Sequence, residues 1–192
     1  MTKVLPPAAH KILTIEDVID LGRALIKVSN AYPTRYLTER DFFPLVVAYL
    51  TGRVPSLQAE ATTESGRIDF HLKGTNPTWL ELAVQPRSLV DMHNAAVRFP
   101  GHTAKGCLYA SQNRSELKKL IQQRTGRTRF ILLVDLRGGY DLGALKEGYK
   151  REAAKVKGGS SVRIIYVSQT VDPESFLAKP KAKKKAPKTK AS

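Results

Sequence analysis

The sequence predicts a single three-layer α/β domain, in which helices cover both faces of a central sheet. Strand-like and helix-like patterns alternate along the chain, an order that is typical of layered α/β domains. Residues 129–136 and 162–167 are largely apolar runs, as expected of strands that are covered on both faces. A length of 192 residues is sufficient for one domain with its own hydrophobic core. One domain with terminal extensions is therefore expected.

Two helices are predicted ahead of the first strand. Thr14 and Asp17 have the spacing of a capping box and begin a helix that runs to Ala31. Its apolar side is expected to pack on the core or on a second subunit. The second helix begins after Thr38, with Pro44 in its first turns, where proline is tolerated.

The later elements follow from the period of the apolar residues, which is two in strands and three to four in helices. Residues 107–109 form either a strand or a buried loop. The other predicted elements are a strand at 56–63, two strands within 66–87, a helix at 89–97, a helix at 115–123, a strand at 129–136, a helix at 142–156 and a strand at 162–167.

The two strand-like runs within 66–87 each contain one acidic residue on a predicted polar face. Asp69 lies on this face of the first run, and Glu81 shares a face of the second run with Ala83 and Gln85. The apolar residues of the first run are expected together on its other face: Ile68, Phe70 and Leu72. If the strands pair as a hairpin across residues 74–77, the two carboxylates converge and can hold a divalent cation. Alternatively, both acids face solvent on a half-exposed sheet.

These acidic segments, Arg67-Ile68-Asp69 and Trp79-Leu80-Glu81-Leu82, resemble the motif of the PD-(D/E)XK nuclease-like superfamily. In that motif an acid is followed, after a short gap, by a second acid, one residue and a lysine on the next strand. The resemblance spans about residues 36–170. It implies a restriction-endonuclease-like fold with a mixed sheet, which divides the chain into an N-terminal helical segment (1–35), a core (36–175) and a disordered basic tail (176–192).

The resemblance also implies a chemistry, that of a DNA endonuclease that depends on Mg²⁺, with Mn²⁺ as a substitute. Asp69 and Glu81 would be catalytic and would bind the metal. The stretch 36–45 resembles the helix that carries an additional glutamate in such enzymes, so Glu39 is predicted as a further metal ligand.

The sequence departs from the motif at the lysine, because Ala83 occupies its position. Lysine normally supplies positive charge to the reacting phosphate or helps to position water. Lys73, on the same predicted face as Asp69, is one candidate replacement, and Lys118 and Lys119 on a later helix are others. Gln85 lies where many family members have a glutamine, and it is predicted to position water.

Positive charge predicts a nucleic-acid partner, most simply DNA. The formal net charge is +15, and about half of it lies in the seven lysines between Lys179 and Ser192, where no acid occurs. Such a tail cannot bury a core, but it can neutralise phosphates, which gives salt-sensitive affinity for nucleic acid. The predicted phosphate-binding residues are Arg87, Lys118, Lys119, Arg124, Arg127, Lys183, Lys184 and Lys185. The alternatives are an ordinary solvated surface and a solubilising or localising tail.

Other classes of protein are not supported by the sequence. Cys107 is the only cysteine, which excludes an intramolecular disulfide and a cysteine-based zinc cluster and fits a reducing compartment. The four histidines lack metal-ligand spacing, and no glycine-rich phosphate loop is present. Neither a membrane span nor a secretory signal is expected, so we predict a cytoplasmic protein that could form a homodimer.

Three functions remain open from the sequence. The first is a nucleic-acid-binding protein whose nuclease-like core is an active Mg²⁺-dependent DNA endonuclease. The second is a catalytically inactive module of the same fold that binds DNA or another partner. The third is an unrelated small α/β protein whose basic tail attaches it to nucleic acid or to an acidic partner.

Overall fold

The central layer of the protein is a β-sheet. The computed structural model describes residues 13–33, 35, 38–51, 53–54, 56–73, 76–87 and 106–180. Six strands form one sheet in this part of the chain: β1 (Leu57–Thr63), β2 (Gly66–Leu72), β3 (Thr78–Gln85), β4 (Thr128–Asp135), β5 (Val162–Ser168) and β6 (Glu174–Ala178). Each strand pairs with its neighbour in sequence. β3, β4 and β5 are parallel, and the remaining pairs are antiparallel, which confirms a mixed sheet in an α/β domain.

Four α-helices flank this sheet in the described residues: α1 (Ile15–Ala31), α2 (Phe43–Thr51), α3 (Arg114–Gln122) and α4 (Leu142–Lys155). A 3₁₀ turn at Glu39–Phe42 leads directly into α2. The predicted capping box of α1 is confirmed, because Thr14 Oγ1 accepts from the backbone N–H of Asp17 at 3.1 Å. The Asp17 carboxylate accepts the Thr14 backbone N–H in return at 3.0 Å.

The core consists of two apolar layers, one on each face of the sheet. Alternate residues of β4 enter opposite layers, Leu132 on the side of α1 and α2 and Leu133 on the side of α3 and α4. α1 packs very closely, since a Cβ at Gly22 would lie 2.8 Å from Cγ2 of Val167 in β5. The apolar side of α1 therefore packs on the core of its own chain, which is one of the two alternatives that the sequence allowed.

Several elements differ from the sequence predictions. β6 was not predicted, and it extends the sheet to Ala178, three residues beyond the predicted core boundary at 175. It is a five-residue edge strand in which only Phe176 and Ala178 are buried, so its apolar pattern is weak. Residues 107–109 form turns with Leu108 buried, which agrees with the loop alternative and not with the strand. The predicted helix at 89–97 and the tail from 181 to 192 lie outside the described residues.

Candidate active site

The two edges of β3 are paired very differently. Toward β4, all eight residues of β3 are in register, from Thr78 opposite Thr128 to Gln85 opposite Asp135. Toward β2, pairing runs only from Thr78 to Leu80. The strands then separate, so the backbone N–H groups of Leu82 and Val84 need partners other than a neighbouring strand.

Acidic side chains supply those partners. Asp69 Oδ2 accepts the backbone N–H of Leu82 at 2.8 Å, and Glu81 Oε2 accepts the backbone N–H of Asp69 at 3.4 Å. The carboxyl group of Glu39, from the 3₁₀ turn before α2, accepts a hydrogen bond from the backbone of Val84. The predicted convergence of Asp69 and Glu81 is therefore present, and carboxylates replace the missing strand contacts of β3.

β2 changes its orientation at the first of these acids. Ile68 packs in the layer under α3 and α4, whereas Phe70 and Leu72 pack in the layer under α1 and α2. The expected common face for these three residues is therefore wrong. The backbone of the paired strand β1 is also irregular at this point. Glu60 has a φ of 49°, which residues other than glycine rarely adopt. The strand twists here, and the Asp69 side chain reaches the edge of β3.

An ammonium group reaches the acids from α3. The Nζ of Lys119 lies 2.9 Å from Glu81 Oε1 and donates a hydrogen bond to the carbonyl of Arg67 at 2.6 Å. Ala83 is buried in the layer that α3 covers, on the face of β3 that Glu81 also uses. The charge absent from position 83 thus comes from the helix packed over that position. Lys119 was one of the replacements that the sequence suggested.

Burial dominates the electrostatics of this cluster. Glu81 is only 1% exposed, and burial, followed by the nearby Asp69, raises its pKa to about 9. Burial also raises the pKa of Asp69, against the hydrogen bond from Leu82. The pKa of Glu39 is raised to about 7 by burial and then by Asp69. One ammonium is not sufficient to keep all these acids ionised, so the cluster holds protons at neutral pH and an added cation would displace them.

Glu116 belongs to the same cluster, and the sequence analysis did not single it out. Its Oε1 lies 3.9 Å from Nζ of Lys119, one turn away on α3, and its charge contributes to raising the pKa values of Asp69 and Glu39. The i, i+3 spacing of Glu116 and Lys119 places both on one face of a helix. That spacing was the available signal.

Gln85 has a different role from the predicted one. It is buried, and its Oε1 accepts hydrogen bonds from the backbone N–H groups of Gly106 and Cys107, at 3.3 Å and 3.2 Å, and from the hydroxyl of Tyr140. Three donors saturate this oxygen, so it fixes the turn at 106–107 and does not orient water in this arrangement.

Lys73 does not join the acids. It is exposed and directly follows β2, four residues beyond Asp69. At about 3.3 Å per residue, the Cα atoms of Lys73 and Asp69 are roughly 13 Å apart. Lys118, the neighbour of Lys119, is also exposed on α3. Only Lys119, among the candidate lysines in the described residues, contacts the acid pair.

The predicted phosphate-binding residues are dispersed. Arg124 and Arg127 are exposed in the segment between α3 and β4, and Arg87 is half-buried just after β3. Lys183, Lys184 and Lys185 lie outside the described residues.

Three further findings bear on the class of protein. In the part of the chain that the structure describes, no group of three or more histidine, cysteine, aspartate or glutamate side chains is arranged to hold a metal ion. None of the described helices has the length and apolar character needed to cross a membrane. A scan against protein-family models and a search of curated proteins both found no match to this chain.

Proposed function

We propose that this protein is a metal-dependent phosphodiesterase that cleaves DNA, with Asp69, Glu81 and Lys119 as its catalytic group. The observation that carries the proposal is the position of the Lys119 ammonium, 2.9 Å from Glu81 and next to Asp69. Two acids on adjacent strands together with a lysine are the functional set of the nuclease-like motif. In this chain the lysine comes from α3 instead of from β3.

The donor set suits a divalent cation. Mg²⁺ is commonly bound by one or two carboxylates, with water and substrate phosphates completing its ligands. Asp69 and Glu81 would hold it, and Glu81 Oε1, 2.9 Å from Nζ of Lys119, makes no well-directed hydrogen bond within the described residues. When bound, the metal would neutralise phosphate charge and lower the pKa of the attacking water. A pair of ligands is thus compatible with the absence of a larger cluster.

The residues of this chain have separate roles in the proposal. The hydrogen bond from Leu82 orients the Asp69 carboxylate, as outer-shell contacts do for metal ligands. Lys119 is fixed by the Arg67 carbonyl, and its ammonium stabilises the negative charge that develops on the phosphate oxygens. Glu39 holds the edge of β3 open through Val84 and is a positioning residue.

A second function is favoured by one specific observation. Glu81 is almost completely buried, and the ammonium of Lys119 already faces it. In this alternative the contact between Glu81 and Lys119 is structural, and the protein is a nuclease-like module that binds nucleic acid without cleaving it. Such a module would bind DNA in a salt-sensitive manner and show no turnover.

The test is cleavage of supercoiled, linear and single-stranded DNA by the full-length protein with Mg²⁺, with Mn²⁺ and with EDTA. We expect metal-dependent cleavage that Asp69→Asn and Glu81→Gln abolish. Lys119→Met should reduce the rate by about 10²-fold to 10³-fold, the usual effect of removing one electrostatic contact to the transition state.

Lys150→Met is the matched control, because Lys150 is a helical lysine with a glutamate at i−3, Glu147, just as Lys119 has Glu116. It should cleave at the rate of the unmodified protein. No cleavage under any condition, from protein whose thermal unfolding is cooperative, would contradict the proposal and favour the binding module.

A further inference from the structure

A large open cavity lies beside the β1–β2 hairpin, outside the acid cluster. Its volume is about 1190 Å³, and its walls come from the hairpin, the segment after α3 and the loop between α4 and β5. The acids Asp69 and Glu81 do not line it. It therefore requires an explanation separate from that of the catalytic group.

The charge of this cavity is positive. Lys73, Arg124 and Lys157 line it together with a single acid, Glu64. All three cations are exposed, and none has an ion-pair partner among the described residues. Unpaired cations around a cavity attract a polyanion, and a phosphodiester chain is a polyanion of this kind.

The cavity also contains an aromatic platform. The imidazole ring of His71 lies flat on the indole of Trp79, with ring centroids 3.7 Å apart and an interplanar angle of 7°. Trp79 is 5% exposed, and its Nε1 donates a hydrogen bond to the carbonyl of Thr125 at 3.1 Å. The indole that supports His71 is therefore held in place. One face of His71 is covered by Trp79, and the side chain is half-buried and lines the cavity, so part of the imidazole is accessible there.

One end of the cavity adjoins the catalytic group. Ser65 lines it and donates a hydrogen bond to the carbonyl of Lys119 at 3.4 Å. Gln123, also in the cavity wall, donates to Thr63 Oγ1 at 3.0 Å and ties the hairpin turn to the end of α3. A chain lying in the cavity can thus extend past this turn toward Lys119, whose ammonium contacts Glu81.

We propose that this cavity binds a single strand of nucleic acid, with one base stacked on His71 and phosphates held by Lys73, Arg124 and Lys157. A single strand is favoured over a duplex because only an unpaired base can offer its flat face to the ring platform. The cavity would hold the strand on one side of the scissile bond. This last role rests on the proposed function, whereas the binding itself does not.

The experiment measures binding of the full-length protein in EDTA, where no metal-dependent cleavage occurs. The probes are an oligothymidylate, an oligouridylate and a duplex of the same length. Trp79 is the only tryptophan in the chain, so its fluorescence reports on the platform directly. We expect the fluorescence to change on binding either single strand, with weaker binding of the duplex.

Variants assign the binding to the cavity. His71→Ala should weaken single-strand binding by about 5-fold to 100-fold, the effect of losing one stacked base, and His71→Phe should restore it. Arg124→Ala/Lys157→Ala should weaken binding and lower the slope of log affinity against log salt by about 1.4. Arg23→Ala/Lys27→Ala removes the same charges from exposed positions on α1, across the sheet, and should change neither quantity.

The outcomes separate this inference from the proposed function. Cleavage without a Trp79 response, or equal effects of the two double variants, would overturn the cavity as the binding site and leave the nuclease intact. Tighter binding of the duplex would also overturn it. Binding with the expected variant effects but no cleavage would support the cavity and contradict the nuclease.

Discussion

β3 has one edge that is regular and one that is opened. Eight consecutive residue pairs join it to β4, whereas three join it to β2 before the strands separate. The regular edge lies among the apolar residues of both core layers. The opened edge is completed by Asp69, through Leu82, and by Glu39, through Val84. The same strand thus supplies both the scaffold and the candidate site.

The difference shows how a sheet can hold several acids in its interior. A buried carboxyl group is costly unless it is hydrogen-bonded, and unpaired backbone N–H groups are also costly. At the opened edge, each acid accepts a hydrogen bond from an N–H group that has lost its strand partner. The same hydrogen bond therefore reduces the cost of burying the acid and the cost of leaving the N–H unpaired. Three predictions test this comparison, beginning with the largest expected effect.

Breaking the regular edge should cost the most stability. Leu132 is fully buried, and it pairs with β3 on one side and β5 on the other. Leu132→Ala should lower the free energy of unfolding by about 2–5 kcal/mol, since it leaves a cavity in a layer that cannot collapse easily. Urea unfolding measures this loss. Leu57→Ala, the same change at a half-buried position in β1, should cost less. An equal or larger cost at Leu57 would contradict the assignment of the scaffold to β4.

The opened edge should make stability depend on pH. Glu81 and Glu39 keep protons in the folded protein up to about pH 9 and about pH 7, and lose them near 4.5 when unfolded. The folded state therefore binds more protons in this window, so stability falls as pH rises from about 4.5 to about 9. The slope is at most about 1.4 kcal/mol per pH unit for each proton.

Urea unfolding at a series of pH values measures this slope. Glu81→Gln keeps a neutral group at the site, so its stability should decline less steeply above about pH 7. Glu147→Gln, the same chemical change at an exposed position on α4, should leave the slope unaltered. A Glu81→Gln protein with the slope of the unmodified protein would show that Glu81 is already ionised when folded.

The smallest effect isolates one hydrogen bond. Asp69→Asn keeps an oxygen that can accept from Leu82, whereas Asp69→Ala removes it; both variants remove the charge. Asp69→Ala should therefore be less stable than Asp69→Asn by about 1–3 kcal/mol, the usual cost of leaving a buried N–H without a partner. Thermal and urea unfolding compare the two proteins. Equal stabilities would mean that another group satisfies Leu82.

The regular parts of the fold could be predicted because each depends on local pattern. The Thr14–Asp17 capping box begins α1 as expected, and the apolar run at 129–136 includes all of the buried strand β4 except its first residue. β6 was missed because a short edge strand with two buried residues has almost no periodic signal.

The site could be predicted only in part. The hairpin placed Asp69 opposite Glu81, and the absence of lysine at position 83 directed attention to the lysines of α3. The separation of β2 from β3 was not predictable, because the alternation of residues 66–72 is regular through Asp69. Whether an N–H group is satisfied by a strand or by a carboxylate depends on tertiary contacts, such as those that bring Glu39 to Val84.

The short junction between β2 and β3 has a dynamic consequence. Asp69 belongs to the β1–β2 hairpin, and Glu81 belongs to the parallel part of the sheet, with three residue pairs between the two units. A local opening of the hairpin would separate the two acids, and it would have to expose Ile68, Phe70 and Leu72, which are buried in the two core layers. The bond from Lys119 to the Arg67 carbonyl spans the same junction. Lys119 is therefore one of several contacts, with the hydrogen bonds of Ser65 to the Lys119 carbonyl and of Gln123 to Thr63, that keep the hairpin and the acid pair together.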